Sequence, residues 1–390
     1  MNIAFLLRFW PQYGGGESVA IQLSNEFVKR GHNVTIYYLW DNYIGQSFTI
    51  DSKIKVRKIP NCHSKVNIDD INRLDYTIMK ATLAQGMKED NTEIVINIWW
   101  PTKIVYKARK LVDLTIKIFT CYYMKFSIDL DSPKRKLLKK MMGERFTKFI
   151  ISKMVYNHFR NDIVYSDKWV LMSDEYINDA KLFVNNKKML DKIISIPNPV
   201  RYEIGADENI IKQKENIILF IGRFMPWKRI DVLLNIWGKI QNKPEMKNWK
   251  LQLIGDGPCF HEMQSLAEKL KLHDVEFAGS KEPLQAYQKA KIIVSASEAE
   301  GMPQSLIEGM RNGCSAIVVG SYSAVVDIIN HGEDGYIIKK GNQKDFENKI
   351  LELVSNSEKL YRMQKNAVTT SSKFTISNVV TAWEQLILGR

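Results

Sequence analysis

The order strand, loop, helix, strand occurs twice in this chain, and it restricts the fold more than any other feature of the sequence. Residues 2–7 form a short apolar run, 8–17 a glycine-rich loop, and 18–30 a segment with apolar side chains at helical spacing before the strand-like run NVTIYYL. The same order returns at residue 216, with NIILFIGR, FMPWKR, an amphipathic segment at 230–240, and WKLQLIG. Each copy predicts a βαβ unit, the element from which parallel sheets are built.

Further apolar runs continue the alternation after the second copy, namely VEFAG, KIIVSAS, CSAIVVG and GYIIKKG. Helical or turn-forming segments separate these runs, which is typical of a parallel sheet covered by helices. The predicted fold class is therefore α/β, with two doubly wound Rossmann-like domains that face a cleft.

A linker between the two domains is predicted in ISIPNPVRYEIG, where two prolines flank Asn198 and no periodicity is present. The first domain is then 1–197 and the second is 198–374. The amphipathic segment ISNVVTAWEQLIL follows the second sheet, and we expect 375–390 to cross back onto the first domain as a helix.

Composition fits this interpretation and limits the function classes. The 390 residues are 45% hydrophobic and 25% charged, which suffices for two cores. Four widely spaced cysteines form no metal-binding pattern, and no apolar run approaches the roughly 20 residues of a spanning helix. NIAFLL lacks the flanking features of an export signal, so we expect a cytoplasmic protein. The net charge of +13 predicts a polyanionic partner, which could be nucleic acid, an acidic membrane or a phosphorylated ligand.

Two cations follow the first strand of the second half. Arg223 and Lys228 lie on the loop at the carboxyl end of that strand, where open α/β sheets bind ligands. Arginine can bridge two phosphate oxygens and lysine acts as a point charge, so the pair can hold a diphosphate, and Gly222 lets the backbone come close. The alternative is a solvated basic loop.

The stretch SEAEGMPQSLIEGM, Ser297–Met310, is predicted to run from a strand end into a helix that begins at Pro303. The first amides of a helix have no partner within it, and they attract anions. The predicted anion site is formed by the amides of Gln304, Ser305 and Leu306.

Two glutamates, Glu300 and Glu308, lie on either side of this helix start. Ionised carboxylates only accept hydrogen bonds, so they suit sugar hydroxyls better than phosphates. Glu298 is out of register with such a partner and is predicted to lie on the surface. The alternative is that glutamates occur here because they complement the helix dipole.

In this order and spacing, the motifs resemble those of retaining glycosyltransferases of family four, which have the GT-B fold. Arg223 and Lys228 match the family pattern Gly-Arg-x4-Lys, and Glu300 and Glu308 match Glu-x7-Glu in the local form Glu-Gly-Met-Pro. GDGP at 255–258, FAGS, YGGGES and IPNPV also stand where the family has related segments. The similarity extends over essentially the whole chain.

The resemblance implies a role for each of these positions. Glu300 would contact the donor sugar, Glu308 the ribose, and the two cations would neutralise the leaving nucleotide diphosphate, so that Glu300, Arg223 and Lys228 form the catalytic set. No metal and no cofactor are then expected, because the cations take the role of a divalent ion. The residues expected to bind the donor are Glu308, Gly301, Met302, Gln304, Ser305, Leu306, Gly15, Gly16 and Tyr122.

The roles of Gly15 and Gly16, of Tyr122 and of the segment 99–103 in the first domain stay open at this point. Gly15 and Gly16 let the backbone approach the phosphates or the acceptor, or they form a tight turn without a ligand. The family has a histidine near the donor sugar where this chain has Tyr122, and this puts that contact and the donor identity in doubt. WWPTK, Trp99–Lys103, offers either an aromatic face for a sugar or a core tryptophan pair.

The segment 133–154, PKRKLLKKMMGERFTKFIISKM, has apolar residues at helical spacing and a strongly basic start. A basic amphipathic helix can lie on an anionic bilayer, which would place the protein at the inner face of the cell membrane and within reach of a lipid-linked acceptor. The alternative is an ordinary surface helix. Nucleic acid is not expected as a partner, because the charge follows no known reading motif.

The sequence therefore predicts a retaining glycosyltransferase that moves a hexosyl or N-acetylhexosaminyl group from a nucleotide diphosphate sugar, UDP-linked, to a glycan or lipid-linked acceptor in polysaccharide or lipopolysaccharide synthesis. One alternative is a metal-dependent transferase that uses DLD at 129–131. Another is a nucleotide-sugar epimerase of the same architecture, and a third is an inactive subunit of a glycosylation complex.

Overall fold

The computed structural model describes residues 1–11, 15–41, 49–60, 73–98, 100–124, 126, 140 and 143–389. The chain divides into two compact units, Met1–Pro199 with Val379–Arg390, and Val200–Asn378. Among the helices of the described ranges, none is long and apolar enough to cross a membrane.

The first unit contains a parallel sheet of seven strands in the order β3-β2-β1-β4-β5-β6-β7. Its strands are β1 Asn2–Trp10, β2 Asn33–Asp41, β3 Lys55–Lys58, β4 Ile94–Asn97, β5 Lys117–Tyr122, β6 Lys168–Leu171 and β7 Ile193–Ser195. Its helices include α1 Gly15–Lys29, α2 Arg73–Glu89, α3 Thr102–Arg109, α4 Glu144–Tyr165, α5 Asp174–Ala180 and α6 Lys187–Leu190.

The second unit contains a parallel sheet of six strands in the order β10-β9-β8-β11-β12-β13. Its strands are β8 Glu215–Ile221, β9 Lys250–Ile254, β10 Val275–Phe277, β11 Ala290–Ser295, β12 Ser315–Gly320 and β13 Gly335–Lys339. Its helices are α7 Glu208–Lys212, α8 Ile230–Ile240, α9 Phe260–Lys269, α10 Leu284–Lys289, α11 Gln304–Arg311, α12 Val325–Ile328, α13 Gln343–Ser355 and α14 Ser357–Ser371, with short 3-10 turns at Pro226–Lys228, Pro244–Met246 and Ser372–Phe374. The last helix, α15 Ile376–Leu388, begins in the second unit and continues into the first.

The strand order positions a site in the second unit. β8 is hydrogen-bonded to β9 on one side and to β11 on the other, so the chain reverses its direction of travel across the sheet at β8. Loops after β8 and β11 therefore diverge at the carboxyl edge and leave room for a ligand between them. These loops carry the two predicted cations and the Glu-Gly-Met-Pro segment.

The end of the chain belongs to the first unit, as predicted for the C-terminal helix. Trp383 on α15 is 2% exposed, and its ring meets Phe119 of β5 edge-on at a centroid distance of 6.1 Å. Glu384 accepts a charged hydrogen bond of 2.7 Å from Arg30. Apolar burial and an ion pair thus fix the last turns of α15 to this sheet.

Two predicted helices have different boundaries in the structure. α1 begins at Gly15, so the glycine-rich loop is shorter than the predicted 8–17. A single helix over 133–154 is wrong, because Gly143 has φ +77°, a left-handed conformation that interrupts a right-handed helix, and α4 continues beyond 154 to Tyr165. Residues 133–139 and 141–142 lie outside the described residues, as do the DLD segment and Trp99.

Candidate functional site

The loop after β8 is fixed by the GDGP segment beside it. The Gly222 amide donates to Ile254 O at 3.0 Å, and the Phe224 amide donates to Asp256 O at 2.9 Å. Phe224 is fully buried, and its ring lies 5.0 Å from that of Phe260. The buried Phe224 side chain fixes the loop, and Arg223, the preceding residue, is exposed at the carboxyl edge of the sheet.

The two glycines of GDGP are required by this close approach. Gly255 has φ +138°, and a Cβ there would lie 1.9 Å from Gly222 O. Gly257 has φ +153°, and a Cβ there would lie 2.6 Å from Phe224 O. Both positions combine a backbone conformation that favours glycine with contact against the loop that carries Arg223.

We expect Gly255→Ala to lower the thermal midpoint, because it adds a clash with backbone to an unfavourable φ, together costing about 3 kcal/mol. Gly279→Ala is the matched control, since Gly279 also has a positive φ (+64°) but nothing lies within 4 Å of its Cβ position. Thermal denaturation of both variants measures the difference. Equal losses would show that the close approach to Gly222 does not explain the glycine.

Lys228 reaches the site from the 3-10 turn Pro226–Lys228, which its own amide closes by donating to Met225 O at 2.9 Å. The next residue, Arg229, has φ +50° and immediately precedes α8. Its guanidinium is held by Asp231 at 2.9 Å and by Glu298 at 2.5 Å. Glu298 is 44% exposed at its side chain, so its predicted surface position is confirmed.

Lys228 and Glu300 form an ion pair, with Nζ 2.5 Å from Oε1. Their side chains are only 17% and 11% exposed, so the two charges compensate each other in a largely desolvated place. Arg223 has no carboxylate partner among the described residues. The structure thus brings two of the three predicted catalytic side chains into contact and leaves the third exposed on the same loop.

The start of α11 differs from the prediction in two details. Pro303 is the residue before the helix, with an extended ψ of 103°, and not its first helical residue. Its carbonyl accepts the Leu306 amide at 3.2 Å, so Leu306 is not one of the free donors that the sequence predicted. Gln304 and Ser305 lie in the first turn, Met302 is buried, and Gly301 is partly exposed.

Glu308 is buried, 3% exposed, and already has strong partners. Arg201 donates to both of its oxygens, from Nε at 2.9 Å and from Nη2 at 3.1 Å. Tyr287 donates to Oε2 at 3.0 Å, and both burial and the adjacent carboxylate raise the pKa of Tyr287, so the phenol stays a donor. Sequence reasoning missed Arg201 and Tyr287, because Arg201 lies 107 positions from Glu308 and no local spacing links them.

The predicted site residues of the first unit lie at its own carboxyl edge. Gly15 and Gly16 are in the first turn of α1 and not in a tight turn, and a Cβ at Gly15 would meet nothing within 4 Å. Tyr122 ends β5 in an aromatic cluster, stacked on Phe126 at 5.2 Å and edge-on to Phe159 at 4.7 Å. Burial raises the pKa of Tyr122 to about 12, which keeps the phenol neutral.

Trp100 is a core residue. It is 3% exposed, and its indole Nε1 donates to Leu7 O at 2.8 Å. This favours the core interpretation of WWPTK over a sugar-binding face for this tryptophan.

Comparisons with known proteins identify the class of enzyme. The model for glycosyl transferases group 1 matches residues 203–370, which is nearly all of the second unit and contains Arg223, Lys228, Glu300 and Glu308. The second unit therefore carries a glycosyl transferases group 1 domain, and the protein is a glycosyltransferase. The predicted family resemblance is confirmed.

Several relatives and solved structures are similar to this glycosyltransferase along its whole length. It is 23% identical to an uncharacterized glycosyltransferase of Haemophilus influenzae, with 99% of each chain covered. It is 25% identical, over 99% of this chain and 98% of the relative, to a Campylobacter jejuni N-acetyl-D-galactosaminyltransferase whose name gives a GalNAc-containing glycan on PP-undecaprenol as acceptor. A Staphylococcus aureus TarM mutant, solved in complex with Fondaparinux, alpha-GlcNAc-glycerol and UDP, has a TM-score of 0.72 at 15% identity and covers 99% of this chain and 100% of its own. The GT-B fold is therefore confirmed.

Proposed function

We propose that this glycosyltransferase moves a sugar from a UDP-linked donor to a glycan or lipid-linked acceptor in surface polysaccharide or lipopolysaccharide synthesis, with retention of the anomeric configuration. The observation that carries the proposal is the contact between Lys228 and Glu300 at the carboxyl edge of the second sheet, with Arg223 on the same loop. A diphosphate next to a sugar needs cations and a hydrogen-bond acceptor side by side, and this edge of the sheet has both.

Each group has a defined task in this proposal. Arg223 and Lys228 bind the diphosphate and stabilise the charge that develops on it as the glycosidic bond breaks. Glu300 accepts hydrogen bonds from the donor sugar and orients it, and Glu308 accepts from the ribose. Because the two cations supply the positive charge, the reaction needs no divalent metal. The acceptor hydroxyl attacks the same face of the sugar that the diphosphate leaves.

Two features of known relatives support the donor and the acceptor. The TarM structure contains UDP, and the name of the Campylobacter relative gives a glycan attached to a lipid diphosphate as its acceptor. We extend these two ligand classes to this chain as part of the proposal. In the first unit, Gly15, Gly16 and Tyr122 are the residues that we assign to donor binding.

A donor screen tests the proposal. The protein is mixed with nucleotide diphosphate sugars, and the thermal midpoint is measured, since a ligand at 100 times its Kd stabilises by about 2.7 kcal/mol. UDP-sugars are expected to raise the midpoint and GDP-sugars to raise it less. Transfer to lipid-linked glycans is then followed with EDTA present, and NMR gives the product anomer.

The outcomes separate the alternatives. Loss of transfer in EDTA would contradict the metal-free mechanism and favour the metal-dependent rival. Conversion of a UDP-sugar to its epimer without any acceptor would identify an epimerase. Tight UDP binding without transfer to any acceptor would favour the inactive subunit.

We also propose that α4 binds an anionic membrane surface. Phe146, Phe149 and Met154 are 49%, 62% and 66% exposed, although each is a large apolar side chain. They lie on the exposed side of the helix, where 3.6 residues make a turn, and the exposed cations Arg145 and Lys153 lie on the same side. A surface that combines exposed apolar side chains with cations suits the interface of a bilayer that contains acidic lipids.

We expect Phe146→Ser with Phe149→Ser to weaken binding to vesicles of phosphatidylglycerol and phosphatidylethanolamine by about tenfold or more, because each phenylalanine loses apolar burial. Vesicle flotation measures the bound fraction. The matched control is Leu111→Ser with Leu114→Ser, which removes two side chains of similar exposure, 60% and 66%, from a different surface. Equal binding of both double variants would contradict the role of α4.

A further inference from the structure

Glu308, the carboxylate that we assign to the ribose, already accepts three hydrogen bonds from protein side chains. Arg201 contributes a parallel pair of bonds, Nε to Oε1 at 2.9 Å and Nη2 to Oε2 at 3.1 Å. The hydroxyl of Tyr287 adds a second bond to Oε2, at 3.0 Å. Oε2 therefore has two donors and Oε1 has one, all within the second unit.

An ionised carboxylate can accept about four hydrogen bonds, two on each oxygen. With three positions occupied among the described residues, Glu308 has one position left, on Oε1. The ribose of a nucleotide offers two neighbouring hydroxyls. A carboxylate that binds both of them in parallel needs one open position on each oxygen.

We infer that Arg201 limits Glu308 to one hydrogen bond from the ribose, so that this carboxylate recognises only one of the two ribose hydroxyls. The inference rests on the proposed function, in which Glu308 contacts the ribose of the donor. Arg201 is then a positioning residue for the nucleotide site, and it acts through Glu308.

The surroundings of Arg201 keep it in place. Its Nη1 lies 3.6 Å from Glu282, and its guanidinium lies 5.5 Å from the ring of Tyr202. Tyr202 also donates to Glu282 at 3.0 Å, so the second carboxylate is itself fixed. If the ribose displaced Arg201, neutral hydroxyls would replace a charged partner on a carboxylate that is 3% exposed, which is unfavourable for a buried charge.

Binding of UDP, 2′-deoxy-UDP and 3′-deoxy-UDP tests the inference by calorimetry. A hydrogen bond to a charged group is worth about tenfold in affinity or more. One of the two deoxy analogues is expected to bind about tenfold more weakly than UDP, and the other to bind within about twofold of UDP. Equal losses of about tenfold for both analogues would overturn the inference, because Glu308 would then bind both hydroxyls.

Two variants distinguish the effect of Arg201 on Glu308 from the effect of Tyr287. Arg201→Ala opens two acceptor positions on a side that the ligand can reach, since the Arg201 side chain is 26% exposed. In this variant, the deoxy analogue that the parental protein binds almost as tightly as UDP should also bind about tenfold more weakly than UDP. Tyr287→Phe opens one position on the fully buried side, and it should keep the parental dependence on a single hydroxyl. An Arg201→Ala protein that keeps the parental dependence would overturn the inference.

Failure of the inference and failure of the proposed function give different results. One result is that Glu308→Gln binds UDP as tightly as the parental protein does, and that the parental protein binds both deoxy analogues as tightly as UDP. The ribose then does not contact Glu308, and the proposed donor site is wrong. If Glu308→Gln weakens UDP binding and both analogues lose equally, the donor site stands and only the single-hydroxyl inference fails. The measurements on the parental protein decide this even if Arg201→Ala does not fold.

Discussion

Lys228→Met is expected to lower kcat/KM for sugar transfer by about 10²–10³-fold, the range found when one group that stabilises developing negative charge is removed. The ammonium is worth most in the transition state, where the diphosphate gains charge, so the larger part of the loss should be in kcat. Initial rates over a range of UDP-sugar concentrations measure both parameters. Lys228→Arg keeps the charge and should recover part of the activity.

The control for this variant is Lys250→Met. Lys250 begins β9 at the amino edge of the same sheet, away from the loop after β8, and it is 3.8 Å from Glu215 on the surface. Its replacement should leave kcat/KM within about twofold of the parent, as expected for a weak surface pair. Since Glu300 loses its cation in Lys228→Met, the thermal midpoint of each variant is compared before the rates are. A folded Lys228→Met protein with parental rates would contradict the diphosphate site.

Glu300→Gln is expected to lower kcat by about 10²-fold, because a neutral amide replaces a charged acceptor and charged hydrogen bonds are worth about 1.5–3 kcal/mol. The amide keeps nearly the same shape, and its oxygen still accepts from Lys228, so the fold should be unchanged. Rates with saturating donor isolate the chemical step. The hydrolysis of the UDP-sugar without acceptor should fall in parallel with transfer.

Glu298→Gln is the matched control for that experiment. Glu298 lies two positions earlier on the same loop, and its carboxylate bonds to Arg229 at the surface. The same chemical change there should alter kcat less than about twofold. Similar losses of kcat in Glu298→Gln and Glu300→Gln would mean that kcat depends on the total charge of the loop and that Glu300 does not orient the sugar.

Much of the fold could be predicted because it depends on local periodicity. The apolar spacing predicts a helix at 230–240, and α8 is Ile230–Ile240. Strand ends place Arg223 and Lys228 on one loop, since residues that follow a parallel strand must lie at its carboxyl edge. The start of α1 is less predictable, because glycines at Gly15 and Gly16 are poor helix formers, and the fold around them decides.

The partners of the charged residues could not be predicted in this way. Lys228 and Glu300 are 72 positions apart, and they meet because β8 and β11 are neighbours in the sheet. Arg201 reaches Glu308 from the start of the second unit, in a segment that the sequence marks only as a linker. Local patterns place a residue on an element, whereas a contact between elements depends on the packing of the complete unit.

The first unit is discontinuous in sequence, and this affects the order in which the protein can fold during synthesis. The ribosome makes residues 1–199 first, but the helix turns that cover Phe119 and pair with Arg30 lie in Val379–Arg390, which follows the whole second unit in sequence. Domains generally fold as they emerge, so the second unit can be complete while the earlier one still lacks its final helix. The nascent N-terminal unit therefore has an uncovered apolar surface until Val379–Arg390 has been made, and a stop after residue 378 would leave that surface uncovered.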